Sequence, residues 1–274
     1  MAEAQLSSVK TIGRAALVLR ALADSSAAGL RLADVTAHVG LGKATVHRLL
    51  GALVEVGFVE YDKSARRYHL GYALFALGAS ARRFHLVERA RPAMVRLAAA
   101  TGDTVYLSMR DGDEALCVDR QTGSYPIRTL TLDIGDRRPL GIGAGSLALL
   151  AFEPDDEVAR ILRHNSAARR DYAAFDDASL QRMIASSRRE GFAFNDGHIV
   201  GAMCALGVPV RDGAGQVRAA LSIAAIRERM SEARRGELAA ALRAEAAALG
   251  PMLEGRSGAA LAAAQAPLQD GARE

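Results

Sequence analysis

Apolar residues recur every three or four positions in three short stretches near the amino end of the chain. This spacing places them on one face of a helix. It predicts helices over about residues 9–23, over a segment that ends at Gly40, and from Lys43 onward, with a short turn between the last two. The apolar positions are Ile12, Ala16, Leu19 and Leu22 in the first stretch, Leu32, Val35 and Val39 in the second, and Val46, Leu49, Leu50 and Leu53 in the third.

The third predicted helix begins with a polar tip. A helix, a short glycine-containing turn and a second helix form the helix-turn-helix plan, whose second helix enters the DNA major groove by its amino end. We therefore expect DNA contacts from Lys43, Ala44, Thr45, His47 and Arg48. The open alternatives are a surface ion pair of Arg48 with Glu55 or Asp34, packing of His47 on the helix flank, and capping of the helix start by Thr45.

Two short runs rich in aromatic and β-branched residues follow, at residues 58–61 and 66–70, on either side of a polar turn. This pattern predicts a β-hairpin, or wing. Beside a groove-bound helix, cations at the hairpin tip suit contacts to phosphates, although they could also be solvated surface charges. The cations are Lys63, Arg66 and Arg67.

Charge is distributed unevenly along the chain. Residues 1–85 contain eleven basic and six acidic residues, a net charge of +5. The whole 274-residue chain carries +4, so the remaining residues carry −1. A basic segment joined to a near-neutral body is typical of a module that binds a polyanion such as DNA.

The body of the chain combines strand and helix patterns. Consecutive strands, then helices, then a closing pair of strands and a long helix predict an α+β fold. Predicted strands cover residues 104–109, 114–119, 127–132, 204–211 and 216–225, and predicted helices cover 146–152, 155–163, 177–190 and 231–253.

The run GLRLADVTAHVGLGKATVHRLLGALVEVGFVEYDKSARRYHLG, with its core at residues 45–50 and its hairpin, resembles one protein family. It is similar to the winged helix-turn-helix of the isocitrate lyase regulator (IclR) family of bacterial transcription factors. The resemblance implies a winged helix-turn-helix domain at 1–71, a linker helix at 72–87 and a C-terminal GAF-like α/β effector-binding domain at 88–255. Residues 256–274, rich in alanine, glycine and charge, are typical of a disordered tail.

A glycine-rich segment at residues 141–146 leads into a predicted helix. A dinucleotide-binding fingerprint would need glycine at Ser146 and a paired acidic residue, so nucleotide binding is not favoured. Free amides at a helix start can instead hold a carboxylate, while tight packing is an alternative reason for the glycines. In the family this junction helps to bind a small organic acid, which implies that Ala144 and Gly145 line the site. Asn195 stands where the family often has an acidic side chain.

The remaining candidate ligand contacts also depart from the family pattern. Ser222 keeps one hydroxyl of a serine pair, whereas Ala224 on the same predicted strand has none. Cys204 lies one residue before the usual cysteine position, which Ala205 occupies, and it could equally be a buried core thiol. Fewer polar partners favour a less polar or larger ligand, such as an aromatic or branched acid.

These patterns indicate a ligand-responsive DNA-binding transcriptional regulator that controls catabolic genes in response to a small organic acid. A repressor is our first hypothesis, and an activator stays open. The expected partners are double-stranded operator DNA, the organic acid and further copies of the chain, as a homodimer or homotetramer. We find no catalytic constellation, metal-ligand motif or phosphate loop, so we expect no enzyme, cofactor or metal. No apolar run approaches a membrane span and no signal peptide is evident, so we expect a cytoplasmic protein.

Overall fold

The computed structural model describes residues 10–23, 25, 28–80 and 85–253. The chain divides into two compact units between residues 84 and 85. Each unit is described by itself below.

The first unit is a three-helix bundle followed by a hairpin and a further helix. Val18, Val35, Val46 and Leu50 are fully buried in its core, so the predicted apolar stripe of the third helix faces inward. The elements are α1 (Lys10–Ala23), α2 (Leu32–Val39), α3 (Lys43–Glu55), β1 (Val59–Asp62), β2 (Arg67–Leu70) and α4 (Tyr72–Ser80).

Local backbone geometry sets the turn between α2 and α3. Gly40 ends α2 in the left-handed conformation, with φ of 64°, and its N–H donates to the Thr36 carbonyl. Glycine adopts this conformation without strain, so the chain reverses here. The wing is tied to the bundle because Leu30 and Tyr68 exchange two backbone hydrogen bonds of 3.1 and 2.8 Å.

The second unit is a six-stranded antiparallel sheet with helices on both faces. Its strand order is β5-β4-β3-β8-β7-β6, so the first and last strands of the unit along the chain, β3 and β8, form the central pair. The elements are α5 (His85–Thr101), β3 (Thr104–Asp111), β4 (Glu114–Gln121), β5 (Arg137–Pro139), α6 (Ala144–Ala151), α7 (Asp155–His164), α8 (Asp177–Glu190), β6 (Ala193–Asp196), β7 (Met203–Arg211), β8 (Val217–Ile226) and α9 (Glu232–Leu249). Short 3₁₀ turns cover Ala168–Asp171, Ala173–Phe175, Arg227–Arg229 and Gly250–Leu253.

Side chains alternate between two cores along the central strands. On β8, Leu221 and Ile223 are buried with α5 and α9, whereas Ala220 belongs to the core around α6, α7 and α8. Successive strand residues point to opposite faces. Ser222 and Ala224 therefore face the α6 side of the sheet.

One predicted strand is wrong. Residues 127–132 are irregular, and the strand that pairs with the outer edge of β4 is β5, which begins ten residues later. The carbonyls of the irregular segment are satisfied by side chains rather than by a neighbouring strand: the Tyr106 hydroxyl donates to Thr129 O, and the Arg120 guanidinium donates to Leu132 O at 2.9 Å. The buried Thr129 hydroxyl in turn donates to Ala224 O at 2.8 Å.

Smaller differences concern element ends and additions. Strand β6 was not predicted, α6 begins at Ala144 rather than at 146, and the last helix ends at Leu249 before a 3₁₀ turn. The predicted linker helix spans α4 and the start of α5, but residues 81–84 lie outside the described residues, as does the predicted tail at 256–274. The boundaries at residues 71 and 88 stay predictions.

Candidate DNA-binding and ligand-binding sites

The first candidate site is the exposed face of α3. Its buried stripe anchors the helix, so the opposite side is left open to solvent. Lys43, Ala44, His47 and Arg48 are exposed and Thr45 is half-buried. The structure therefore brings all five predicted contacts of this helix to its amino-terminal half on the solvent side.

Two of the alternatives, for Arg48 and for Thr45, are not what the structure shows. Asp34 accepts from the backbone N–H of Arg31 at 3.0 Å, and no ion pair joins Arg48 to Asp34 or Glu55. No side chain caps α3, whose N-cap is Gly42, so the Thr45 hydroxyl does not cap it. Within the described part of the unit, Arg48 at the polar tip of α3 thus forms no ion pair with Asp34 or Glu55, and Thr45 does not cap the helix.

The wing has a four-residue turn organised by Asp62. Its carboxylate accepts from the N–H groups of Ser64 and Ala65, at 2.8 and 3.1 Å, and from the Ser64 hydroxyl. These hydrogen bonds lower the pKa of Asp62, and the bond from the Ser64 hydroxyl has the largest effect. Lys63 and Arg66 are exposed on this turn, and Arg66 has a positive φ of 55°.

Arg67 differs from the other two wing cations. It is half-buried, and its guanidinium donates to the Gly29 carbonyl at 2.6 Å. This bond joins the wing to the segment before α2. Arg67 is therefore already engaged by the chain itself, whereas Lys63 and Arg66 are not.

The second candidate site is a cavity of about 60 Å³ between the amino end of α6 and the strands β3 and β8. One water needs roughly 15 Å³, so the cavity has room for a small ligand. All seven residues predicted to bind an effector line it, namely Ala144, Gly145, Asn195, Cys204, Ala205, Ser222 and Ala224. The structure thus brings together residues from α6, β6, β7 and β8.

The start of α6 is open towards this cavity. The first amides of a helix have no partner within the helix, and Gly143 at the N-cap supplies no side-chain acceptor. Gly143 has φ of 89°, and a Cβ on Gly145 would lie 3.1 Å from Ser222 Oγ and 3.2 Å from Ser108 Oγ. The glycines therefore serve both close packing and access to the helix amides.

Five polar lining residues were not predicted as ligand contacts: Tyr106, Ser108, Thr131, Arg138 and Ser146. Tyr106 and Ser108 lie on β3, where alternation with the buried Val105 and Leu107 turns them to the α6 side of the sheet. That alternation was readable in the sequence. Burial raises the pKa of Tyr106 to about 12, so its hydroxyl stays protonated at neutral pH.

Cys204 and Asn195 complete the polar lining. Burial raises the pKa of the Cys204 thiol to about 11, and its Sγ donates to Asp196 Oδ1 at 3.4 Å. A thiol that is protonated at neutral pH is not an activated nucleophile. Asn195 Oδ1 lies 3.2 Å from His198 Nδ1. The side chains described here can therefore bind a ligand, and the Cys204 thiol is not an activated nucleophile that would react with it.

A winged helix-turn-helix joined to an α+β unit with a ligand-sized cavity defines a class of DNA-binding regulators. The comparisons with known families agree with this class. The IclR helix-turn-helix domain matches residues 11–63, and the bacterial transcriptional regulator IclR C-terminal domain matches residues 78–250. The second match covers more than half of the chain, so the chain belongs to the IclR family of transcriptional regulators.

Individual relatives extend the likeness over most of the chain. This chain is 32% identical over 228 residues to the HTH-type transcriptional regulator BhcR of Paracoccus denitrificans, and the match covers 82% of this chain and 81% of BhcR. It is 27% identical to the HTH-type transcriptional repressor AllR of Salmonella typhimurium, covering 78% and 80% of the two chains. The crystal structure of an IclR transcriptional regulator from Alicyclobacillus acidocaldarius matches with a TM-score of 0.77 and 25% identity, covering 89% of this chain and 98% of that one.

These relatives are named as transcriptional regulators, and the chain is a transcriptional regulator rather than an enzyme. Among the described residues, no helix combines the length and apolar character that crossing a membrane requires.

Proposed function

We propose that this regulator is a repressor of catabolic genes that binds operator DNA and changes its operator affinity when a small organic acid binds. The observation that carries the proposal is the pairing of two uncommitted sites on one chain. One unit has exposed cations on α3 and the wing, and the other has a cavity with open helix amides. The repressor assignment is supported by the likeness to AllR.

The DNA-binding half of the proposal uses the geometry of α3. An exposed helix tip with Lys43, Thr45, His47 and Arg48 suits base edges and phosphates in the major groove, while Lys63 and Arg66 on the wing suit the flanking phosphates. In this proposal Arg67 holds the wing in place, because its guanidinium donates to Gly29 O.

The proposal includes a homodimer or homotetramer. The first unit exposes apolar side chains on two helices, with Ile12 on α1 and Tyr72 and Phe75 on α4. Exposed apolar groups of this size favour burial against another copy. A two-fold dimer would present two copies of α3 to half-sites roughly 34–36 Å apart.

The ligand-binding half uses the cavity of the second unit. Open amides at the start of α6 favour an anionic group, and the cavity also exposes the Ser222 hydroxyl. The rest of the lining combines aliphatic side chains with neutral polar ones such as Asn195 and Cys204, and the aliphatic side chains support an aromatic or branched acid as the effector. Ligand binding can shift operator affinity only by its differential affinity for the DNA-competent arrangement.

The test is a gel-shift titration with genomic promoter fragments at physiological salt, repeated with a panel of small carboxylic acids. We expect one fragment upstream of catabolic genes to bind at least 1,000-fold more tightly than random DNA, in line with the range for specific regulators (~10³–10⁷). We also expect one acid to weaken that complex. Binding to every fragment no better than to random DNA would refute the proposal, and a promoter–reporter assay in which deletion of the regulator lowers expression from the bound promoter would refute the repressor assignment.

A further inference from the structure

Arg138 is the only charged side chain on the cavity lining that the described residues form. It belongs to β5, an edge strand, where it pairs with Ala115 of β4. Among the described residues, no carboxylate lies within ion-pair distance of its guanidinium. A half-buried cation without a counter-ion favours an anion from outside the chain.

The neighbouring residue shows that this lack of a partner is specific to the cavity side. Arg137 is on the same strand and pairs with Asp111 and Glu114, at 2.5 and 3.0 Å. Successive strand residues point in opposite directions, so Arg137 faces away from the cavity. Of two adjacent arginines, one has two carboxylate partners and the other has none.

Arg138 is held in place by an uncharged group. Its Nη2 donates to the Thr131 carbonyl at 2.5 Å. Its Nη1 lies only 3.3 Å from the point that a Cβ on Gly143 would occupy, so the guanidinium stands beside the open start of α6. Because a guanidinium carries five N–H donors, the bond to Thr131 leaves donors for a ligand.

Two serine hydroxyls border the same region. Ser108 and Ser222 are only 4% and 6% exposed, and neither hydroxyl has a hydrogen-bond partner among the described residues. Both hydroxyl oxygens lie close to Gly145, the second residue of α6. Both residues line the cavity, and a hydroxyl can donate as well as accept a hydrogen bond, so both are available to a ligand oxygen.

The rest of the cavity lining combines aliphatic side chains with neutral polar ones such as Asn195 and Cys204. The lining includes no aspartate or glutamate among the described residues, so a ligand with a second, cationic group would find no counter-charge. The aliphatic lining side chains are Leu132, Ile142, Ile199, Val200 and Met203.

We propose that Arg138 recognises the carboxylate of the effector, and that the effector is a monocarboxylate whose remainder is an aryl or branched alkyl group. This inference rests on the proposed function, since it takes the cavity to be the effector site. The guanidinium and the α6 amides would share the carboxylate, the serine hydroxyls would donate to its oxygens, and the aliphatic side chains would pack against the remainder.

The planar fork of arginine matches a carboxylate with two parallel hydrogen bonds, which an ammonium group cannot reproduce. Neutral ligands of the same shape offer no charge to Arg138. We therefore expect discrimination between an acid and its amide, and between arginine and lysine at this position.

The experiment measures binding by the full-length wild-type protein and by Arg138→Leu, Arg138→Lys and Arg137→Gln. The probes are benzoate, phenylacetate and 3-methyl-2-oxobutanoate, each compared with its amide, by thermal shift and then by calorimetry. We expect the wild type to bind at least one acid and to bind its amide far more weakly. Since hydrogen bonds to charged groups are strong, Arg138→Leu should lose about 10- to 100-fold in affinity for that acid. Arg138→Lys should lose less, and Arg137→Gln less than about twofold.

The melting temperature without probe shows whether each variant is folded, and Arg138→Lys keeps the test decisive if Arg138→Leu is not. Equal binding of the acid by wild type and by folded Arg138 variants would overturn this inference and leave the proposed function standing. Wild-type protein that binds none of the three acids, or binds the amides equally well, would overturn the ligand class. The gel shift, run without any of these probes, tests the proposed DNA-binding function separately.

Discussion

Arg229 and Arg234 of the second unit both donate to the buried carboxylate of Asp103, at 2.9 and 2.5 Å, whereas Lys43 and Arg48 of the first unit contact no carboxylate within its described residues. The same contrast holds more widely. The paired arginines of the second unit also include Arg96, Arg110, Arg137, Arg160, Arg188, Arg218 and Arg227.

This difference separates cations that are paired with a carboxylate within the chain from cations that remain available to a binding partner. An arginine already paired with a carboxylate contributes little to the attraction of a polyanion. Exposed cations without a partner can neutralise phosphates and release counter-ions. Net charge alone, at +4, does not show this, because it counts both kinds of cation equally.

Each unit also contains cations that depart from this pattern, and one from each unit bears on the proposals. In the first unit Arg67 is committed to Gly29 O, and in the second unit Arg138 has no carboxylate partner although it lines a cavity. The first exception predicts a structural role, and the second underlies the proposed ligand contact.

The largest expected effect comes from removing the anchor of α3. Leu50 is fully buried, so Leu50→Ala should lower the free energy of unfolding of the first unit by about 2–5 kcal/mol and weaken operator binding with it. Chemical denaturation and gel shift measure the two effects. Val54→Ala on the same helix, at a position that is 37% exposed, is the matched control and should cost much less. Equal losses for the two variants would mean that the apolar stripe does not hold α3.

The next effect separates unpaired from paired arginine. Arg48→Ala should weaken operator binding by about 1–3 kcal/mol, because it removes a base or phosphate contact. Arg218→Ala removes an arginine that pairs with Asp212 at 2.6 Å and should leave operator binding unchanged. Fluorescence anisotropy with the tightest-binding genomic fragment measures both. Similar losses would show that ion pairing does not distinguish the two classes of cation.

The first unit was predicted well because its signal is local. The apolar spacing in α3 needs no information from distant residues, and Val46, Leu49, Leu50 and Leu53 are buried as that spacing requires. The strand predicted at 127–132 failed for the opposite reason. Its composition favours a strand, but hydroxyl and guanidinium groups from β3, β4 and β5 satisfy its carbonyls.

The candidate cavity was only partly predictable. Its seven expected residues came from the family resemblance, and they meet at one place. Arg138 could not be told from Arg137 by sequence, because only the register of β5 against β4 decides which of the two faces the cavity. Ser108 could have been predicted as a lining residue, because the alternation along β3 places it on the same face as Tyr106.

A smaller effect compares two cations on the wing. Lys63→Ala should reduce the slope of log affinity against log salt concentration by about one, because it removes one phosphate contact. Arg67→Ala should leave that slope unchanged. It should instead lower the free energy of unfolding by about 0.5–1.5 kcal/mol, since the hydrogen bond to Gly29 O is lost. Salt titrations and denaturation curves distinguish the two, and a slope change for Arg67→Ala of the same size would contradict its structural role.

The smallest effect uses acid to remove one carboxylate partner from two paired arginines of the second unit. Hydrogen bonds from Arg160, and then Arg110, lower the pKa of Glu157 to about 2, from an ordinary value near 4.5. A carboxylate with a lowered pKa in the folded state stabilises the protein above its unfolded-state pKa, and that contribution is lost as pH falls through the folded-state value. The stability difference between wild type and Glu157→Gln should therefore be constant above about pH 5 and shrink between about pH 4.5 and 2. Denaturant midpoints measured across that range test this, and a difference that stays constant down to pH 2 would show that the ion pairs of Glu157 do not stabilise the fold. If the difference shrinks, acid will have removed one carboxylate partner from Arg160 and Arg110, which also pair with Asp113 and Glu153 respectively.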